Sequence, residues 1–247
     1  MRILHYNIFN GFDNGRIPLS PLRDWLEANP VDVLLVNEHR DSPEWSALRE
    51  TAGFRHGVVN RHTEKRNGNL TAVFSRLPFE GTPFVPEGLR VVAVRVAGMH
   101  LVATHGFPDT SDVIADDADR LVTELESWKG EPVLVAGDFN ALAASDADRL
   151  GYAALVGSAR EGRYCCDGQP SFEAMEAFAK AGFTDLCAGH PEPTVSTSAP
   201  PKPRKKEGRP LRIDYALTRD LAARARRLAG EPFERLSDHY PLWIEVG

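Results

Sequence analysis

Short apolar segments that end on a polar, chemically capable side chain recur along this chain, and no other feature restricts its fold as strongly. In VLVAGDFNA, which begins at Val133, a strand-like apolar run closes on Asp138 and Asn140. Two residues apart in an extended chain, these side chains point to the same side, so an apolar post presents both to one point in space. RILHYNIF, VDVLLVNE, LTAVFS, RVVAVRV, HLVATH, RIDYAL and YPLWIEV share the strand character. Helical patterns lie between some of them. Leu22, Trp25 and Leu26 keep helical spacing, and Ile114, Ala118, Leu121, Leu125 and Trp128 repeat by four and three as one buried stripe. The acids around that stripe, Asp116, Asp117 and Glu124, read as its solvated face. LTAVFS, RVVAVRV and HLVATH follow one another with no helix between, which predicts antiparallel pairing. Strands near both ends of the chain alternate with helices instead. The mixture predicts packed sheets with helices outside, not a purely parallel doubly wound sheet.

The 247 residues, 42% hydrophobic and 26% charged, suit one globular domain over 1–247 with a sizeable core. A formal charge of −6 gives no field that gathers polyanions, so a phosphate-bearing ligand has to be held by local groups or a metal. Three cysteines, with Cys165 and Cys166 adjacent, form neither a disulfide framework nor a zinc spacing, which fits a reducing compartment. The chain opens directly on a strand-like segment, and no apolar run approaches the ~18 residues of a membrane span. The expectation is a soluble, cytoplasmic protein with no membrane partner, its oligomeric state open. Residues 190–210 contain six prolines and are expected to form a flexible loop. Lys202, Arg204, Lys205, Lys206 and Arg209 make it either a solvated basic surface or a mobile flap that meets an anionic substrate.

Asn7 follows the first strand, Glu38 closes VDVLLVNE, His105 closes HLVATH, Asp214 interrupts RIDYAL, and Asp238 with His239 precedes the last strand. Singly, each has an ordinary reading as a turn, a cap or a structural histidine. Asp214 resists that reading most, because an acid flanked by Ile213 and Tyr215 in an apolar strand is costly unless paired.

Together, MRILHYNIFNG, VDVLLVNEHR, NLTAVFSRLP, LVATHG, VLVAGDFNA, RIDYAL and LSDHYPL resemble the endonuclease/exonuclease/phosphatase (DNase I-like) superfamily, in order and approximate separation, from residue 1 to 246. GDFN followed at a distance by SDH is the specific combination. The resemblance implies a four-layered α/β sandwich, two mixed β-sheets packed face to face with helices outside. It also implies a metal-dependent phosphoric ester hydrolase. Two departures stand out: Asn37 precedes the acid where the family commonly has glutamine, and the region between Asn140 and Arg212 matches no subgroup, which leaves the substrate open.

The resemblance implies Glu38 as the first metal ligand, Asp238 as a second, and the Asn7 amide beside them. Hard oxygen donors suit Mg²⁺, with Mn²⁺ as a substitute, better than zinc. Asp138, an acceptor-only carboxylate, is suited to orient and deprotonate an attacking water, while Asn140 holds water or phosphate through its amide. His239 donates to a phosphoryl oxygen, most usefully as imidazolium, with Asp214 as its partner. His105 matches a second family histidine, for phosphate contact or leaving-group protonation. Arg212 is expected to reach substrate because its spacing from Asp214 puts both on one strand face; Arg76 in FSRLP is either structural or part of the cleft. The expected reaction is attack of an activated water on a phosphate ester, more in keeping with a phosphodiesterase or nuclease acting on a nucleotide or single-stranded nucleic acid. The alternatives are a phosphomonoesterase of a small phosphorylated metabolite and a binding module that keeps the fold without turnover. A serine or cysteine hydrolase is disfavoured, since the chain has no G-x-S-x-G turn.

Overall fold

A computed structural model describes residues 1–61, 69–189, 191–195 and 210–247. Its strands are β1 (Arg2–Asn7), β2 (Val33–His39), β3 (His56–Asn60), β4 (Leu70–Ser75), β5 (Val91–Val96), β6 (Met99–His105), β7 (Val133–Asp138), β8 (Cys165–Cys166), β9 (Gln169–Pro170), β10 (Thr184–Asp185), β11 (Asp214–Arg219), β12 (Ala223–Arg227) and β13 (Leu242–Val246). One sheet runs β12-β13-β1-β2-β4-β3 and the other β10-β11-β7-β6-β5, with β8 and β9 a separate pair. Each large sheet mixes parallel pairs, β1 with β2 and β6 with β7, with antiparallel ones.

Strand alternation explains the layers. Ile3, Val33, Leu35 and Val73 of the first sheet meet Val92, Leu101, Leu134 and Ala216 of the second in one core. The opposite parity, Leu4, Tyr6, Leu34 and Val36, faces outward beneath the helices Ser20–Ala28 and Pro43–Thr51. Val102, Val133, Val135, Tyr215 and Leu217 face outward on the other side, beneath helices Ser111–Leu125 and Glu173–Lys180. The result is helix, sheet, sheet, helix, as the resemblance implies. The helix Ser111–Leu125 buries Ile114, Ala118, Leu121 and Leu125, while Asp116 and Glu124 are exposed.

One pairing differs from the sequence reading. β5 and β6 are antiparallel neighbours, but β4 pairs with β2 and β3 in the opposite sheet. The stretch after β4 contains Pro78, Pro83 and Pro86, and carries the chain from one sheet to the other. The loop expectation for 190–210 falls mostly outside the described residues, which resume there only at 191–195 and 210.

Topology brings the polar strand ends together. Parallel β1 and β2 finish at the same edge as β6 and β7. Antiparallel β11 begins there, with Asp214 opposite Asp138, and β13 begins beside the end of β1. A carboxylate at the end of one strand thus meets one at the start of its antiparallel neighbour.

Candidate active site

Parity decides which of these groups face one another. Asn7, Asp138, His105 and Asp214 continue the inward series of Ile3, Leu134 with Ala136, Leu101 with Ala103, and Ala216, so each lies where the inter-sheet core runs out. The site is the polar end of that core. Gly137 permits the close approach of β6 to β7, since a Cβ there would lie 1.9 Å from the Thr104 carbonyl oxygen.

Glu38 breaks the parity rule. Alternation would turn it outward with Leu34 and Val36, but a register shift between Val36 and His39 and a φ of 58° at Glu38 re-aim it. Its carboxylate accepts from the Asn7 amide at 3.3 Å, the Asn69 amide at 3.2 Å and the Asn10 backbone N–H at 2.6 Å. Asn10 belongs to a left-handed run, Asn10 to Asn14, in which every φ lies between 51° and 65°. Such a turn costs roughly 1–2 kcal/mol per non-glycine residue. The local sequence NGFDN supplies the residue types that tolerate it best, and Phe12 is anchored in the core against Tyr6 and Trp45.

Asp138 is 2% exposed and accepts from the Asn7 amide at 3.0 Å and the Asn140 backbone N–H at 2.9 Å, while its own N–H donates to Asn37 Oδ1 at 2.8 Å. Asn37, where the family commonly has glutamine, therefore ties one sheet to the other directly behind the site. Burial, with Asp214 and Glu38 nearby, pushes the Asp138 carboxyl up to about 7, although His239 opposes the rise. The Asn140 amide donates to the Gly106 carbonyl at 3.0 Å.

His239 Nδ1 lies 2.8 Å from Asp214 Oδ2, and its Nε2 lies 3.7 Å from Asp138 and 4.0 Å from Asp238. Burial opposes its charge, but Asp214 and Asp138 outweigh that and hold its pKa well above the ordinary value. Burial likewise opposes ionisation of Asp214, and His239 and His5 reverse it, so Asp214 stays ionised. The pair is a buried imidazolium and carboxylate. His105 differs: burial and the nearby Arg90 and His239 keep its imidazole neutral, 3.8 Å from Asp138.

Glu38, His105, Asp138, Asn140, Asp238 and His239 all line one cleft of ≈ 760 Å³. Asn7 and Asp214 lie behind its surface, hydrogen-bonded to residues that line it. A groove of ≈ 800 Å³ near Phe12 and Trp45 is as large, but its Arg40 and Asp41 are already bonded to Asn14, Asn69, His39 and Arg61. The ≈ 760 Å³ cleft is the one that gathers the titratable strand-end groups.

Arg212 is a correction. Its side chain turns away from the cleft, bonds Asp146 at 2.7 and 3.0 Å and Asp185 at 2.6 and 3.2 Å, and stacks over Tyr215. β11 begins at Asp214, so the alternation that suggested a shared face does not extend back to residue 212. Arg76 bonds the Ala52 carbonyl and is structural. Sequence reasoning passed over His5, whose Nε2 lies 3.0 Å from Asp214 Oδ1, and the pair Asn10 and Asn69. The available signal for His5 was its position two residues before Asn7, on the same inward face.

Asp138, Asp214 and His239 have ligand atoms within 4.8 Å of one another, a spacing able to hold a cation. Both oxygens of Asp214 are already engaged by histidines behind the surface, so Glu38, Asp238 and Asp138 are the carboxylates of the cluster that line the cleft.

The sequence matches the Endonuclease/Exonuclease/phosphatase family over residues 4–239. Similar solved structures include an AP endonuclease from Archaeoglobus fulgidus, 21% identical with a TM-score of 0.66, and a 3'-5' exonuclease from Neisseria meningitidis, 20% identical with a TM-score of 0.67. A structure of the 3' phosphatase from Neisseria bound to product DNA hairpin is also similar, 20% identical with a TM-score of 0.66. Each alignment covers 100% of this chain and 99% of the other. No curated protein sequence matches the chain.

Proposed function

Because the chain belongs to the endonuclease/exonuclease/phosphatase family and is a hydrolase of phosphate esters, we propose that it is a Mg²⁺-dependent phosphodiesterase acting on nucleic acid. One observation carries this reading: an ionised Asp214, just behind the surface of one open cleft, holds a cationic His239 in that cleft beside Asp138, whose carboxyl burial pushes up to about 7. A carboxylate poised near pH 7 is suited to take a proton from an attacking water. His239 offers a charged donor to a phosphoryl oxygen, and the Asp214 bond fixes which of its nitrogens faces the cleft. Asn7 bridges Glu38 and Asp138 and holds their spacing. His105, neutral, is suited to a phosphate contact or to the leaving oxygen.

The donor set fits a hard divalent cation. Glu38 and Asp238 supply oxygen, and the charge of Asp214 and Glu38, which adds to burial in raising Asp138, is the kind a cation relieves. When bound, Mg²⁺ would neutralise charge on the phosphoryl group, with Mn²⁺ as a substitute. The likeness to solved structures of an AP endonuclease and a 3'-5' exonuclease, and of a 3' phosphatase bound to product DNA hairpin, supports nucleic acid as the substrate class.

The test is hydrolysis of bis-p-nitrophenyl phosphate, p-nitrophenyl phosphate, single-stranded DNA and single-stranded RNA, with EDTA and then Mg²⁺. Diester and strand cleavage, lost with EDTA and recovered with Mg²⁺, is expected. Cleavage of the monoester alone would replace the reading with a phosphomonoesterase.

A further inference from the structure

The cleft is lined by two groups of opposite charge. One is the acidic strand-end cluster. The other is a rim made of Pro108–Thr110 and Ala159–Tyr164, which brings Arg160 and Arg163 to the cleft. The two rim segments are joined: Arg163 Nη2 donates to the Pro108 carbonyl at 3.4 Å, and Ser111 Oγ donates to the Cys165 carbonyl at 3.1 Å.

Several arginines of this chain are neutralised by acids, and these two are not. Acids outnumber Lys and Arg by 35 to 29, and Arg95, Arg120, Arg212, Arg219, Arg224 and Arg235 each have a carboxylate partner. Among the described residues neither Arg160 nor Arg163 lies within 4.0 Å of a carboxylate, and both are half-buried. The nearby acids are used elsewhere: Asp109 accepts from the Thr110 N–H and Glu161 from the Gly157 N–H. A second observation lies between the rim and the acids. His105, 4% exposed on the cleft wall, keeps a buried Nδ1 with no hydrogen-bond partner among the described residues. Tyr164, also on the wall, has its pKa raised by burial, with Asp138 adding to the rise and Arg163 and Arg160 opposing it, so the arginines and the acid act on one side chain.

Resting on the proposed function, we propose that Arg160 and Arg163 form a second anion subsite that holds a phosphate flanking the scissile one, making a single-stranded oligonucleotide the preferred substrate. A cation pair on the wall of the cleft that holds the phosphoryl site has no ligand in a simple diester but has one in a strand. Guanidinium groups suit phosphate because they donate in a planar fork. An overall charge of −6 argues for such local recognition, since the global field repels a polyanion.

The experiment measures binding of fluorescent oligothymidylate by anisotropy in EDTA, for wild type and Arg160→Ala/Arg163→Ala, across salt concentration. Hydrolysis of bis-p-nitrophenyl phosphate and of the strand with Mg²⁺ runs in parallel. The double variant is expected to bind about 10–100-fold more weakly, with a salt slope smaller by about 0.7 for the one lost phosphate contact. Its loss on strand cleavage should exceed its loss on the small diester by at least about tenfold. Replacing the flanking phosphate by a neutral methylphosphonate should weaken wild-type binding similarly and leave the double variant indifferent. Unchanged binding or slope in the double variant, or equal loss on both substrates, overturns the subsite. Equal binding of thymidine 3',5'-bisphosphate and the strand overturns its assignment to a polymer. Strand binding that depends on the two arginines in a protein inert on every ester would instead count against the catalytic reading and leave the subsite standing.

Discussion

Asp214 and Arg212 are two residues apart and belong to buried polar clusters of opposite character. Around Arg212, each of the three guanidinium nitrogens bonds a carboxylate of Asp146 or Asp185, and the ring of Tyr215 covers the face. Around Asp214, three carboxylates, its own and those of Asp138 and Asp238, act on the His239 imidazolium, burial pushes Asp138 up to about 7, and His5 Nδ1, Asn37 Nδ2 and His105 Nδ1 lack partners among the described residues. The first cluster has met its hydrogen-bonding needs internally and serves as architecture. The second keeps an excess of negative charge at the cleft and polar atoms without partners among the described residues. Burial alone does not separate them; satisfaction does.

The sharpest way to break that contrast is Asp138→Asn. If Asp138 is the base, kcat on bis-p-nitrophenyl phosphate should fall by about 10²–10⁴-fold. Its raised pKa also predicts the sign of a stability change. The folded carboxyl binds its proton more tightly than the unfolded one, from about 7 against 3.8, so stability contributed by protonated Asp138 is lost as pH rises between those values. The Asn variant should therefore melt at or above wild type at pH 8, with the gain shrinking toward pH 4. A lower melting point at pH 8 would place Asp138 with the satisfied cluster. The wild-type rate should rise with pH through the region around 7, and Mg²⁺ should move that limb to lower pH by favouring the carboxylate.

Arg212→Ala tests the other side. Stranding Asp146 and Asp185 should cost about 3–5 kcal/mol, read by urea unfolding. Activity per folded molecule should change little. A raised KM with unaltered stability would return Arg212 to the cleft.

How much was readable in sequence follows from what alternation can encode. Asn7, Asp138 and Asp214 sit at strand ends with inward parity, so an apolar run and its polar tip describe them completely. Glu38 was recognisable by resemblance alone, because its direction depends on a bulge and a positive φ that no periodicity carries. Arg212 misled because two-residue spacing was applied before the strand begins. β3 and β12 went unseen for physical reasons: HGVVN is short and only partly buried, and ARARR alternates arginine with alanine at a sheet edge, where charge guards against further pairing. The left-handed turn at Asn10–Asn14 is the least legible element, since NGFDN permits that geometry without requiring it.

A smaller effect separates metal binding from catalysis. Glu38→Gln should raise the Mg²⁺ concentration for half-maximal activity by at least about 10–100-fold, the scale seen when a ligand loses its support. Calorimetry showing equal Mg²⁺ affinity would move the ligand set toward Asp138, Asp214 and His239, whose atoms already lie within 4.8 Å.

The finest test concerns His5, which joins the second cluster without touching the cleft. Its Nε2 meets Asp214 Oδ1 at 3.0 Å while His239 Nδ1 meets Oδ2 at 2.8 Å, so the carboxylate is held from both sides. If His5 acts by fixing that carboxylate, His5→Leu frees Asp214 to rotate and lowers kcat about tenfold, the scale of one hydrogen bond to a charged group. KM and the Mg²⁺ midpoint should stay put. His5→Gln can restore a donor at a similar reach, so most of the rate should return even if its melting point matches that of the leucine variant. Two variants with the same kcat would reduce His5 to core packing, and would mean that the Asp214–His239 pair is held in place without its third member.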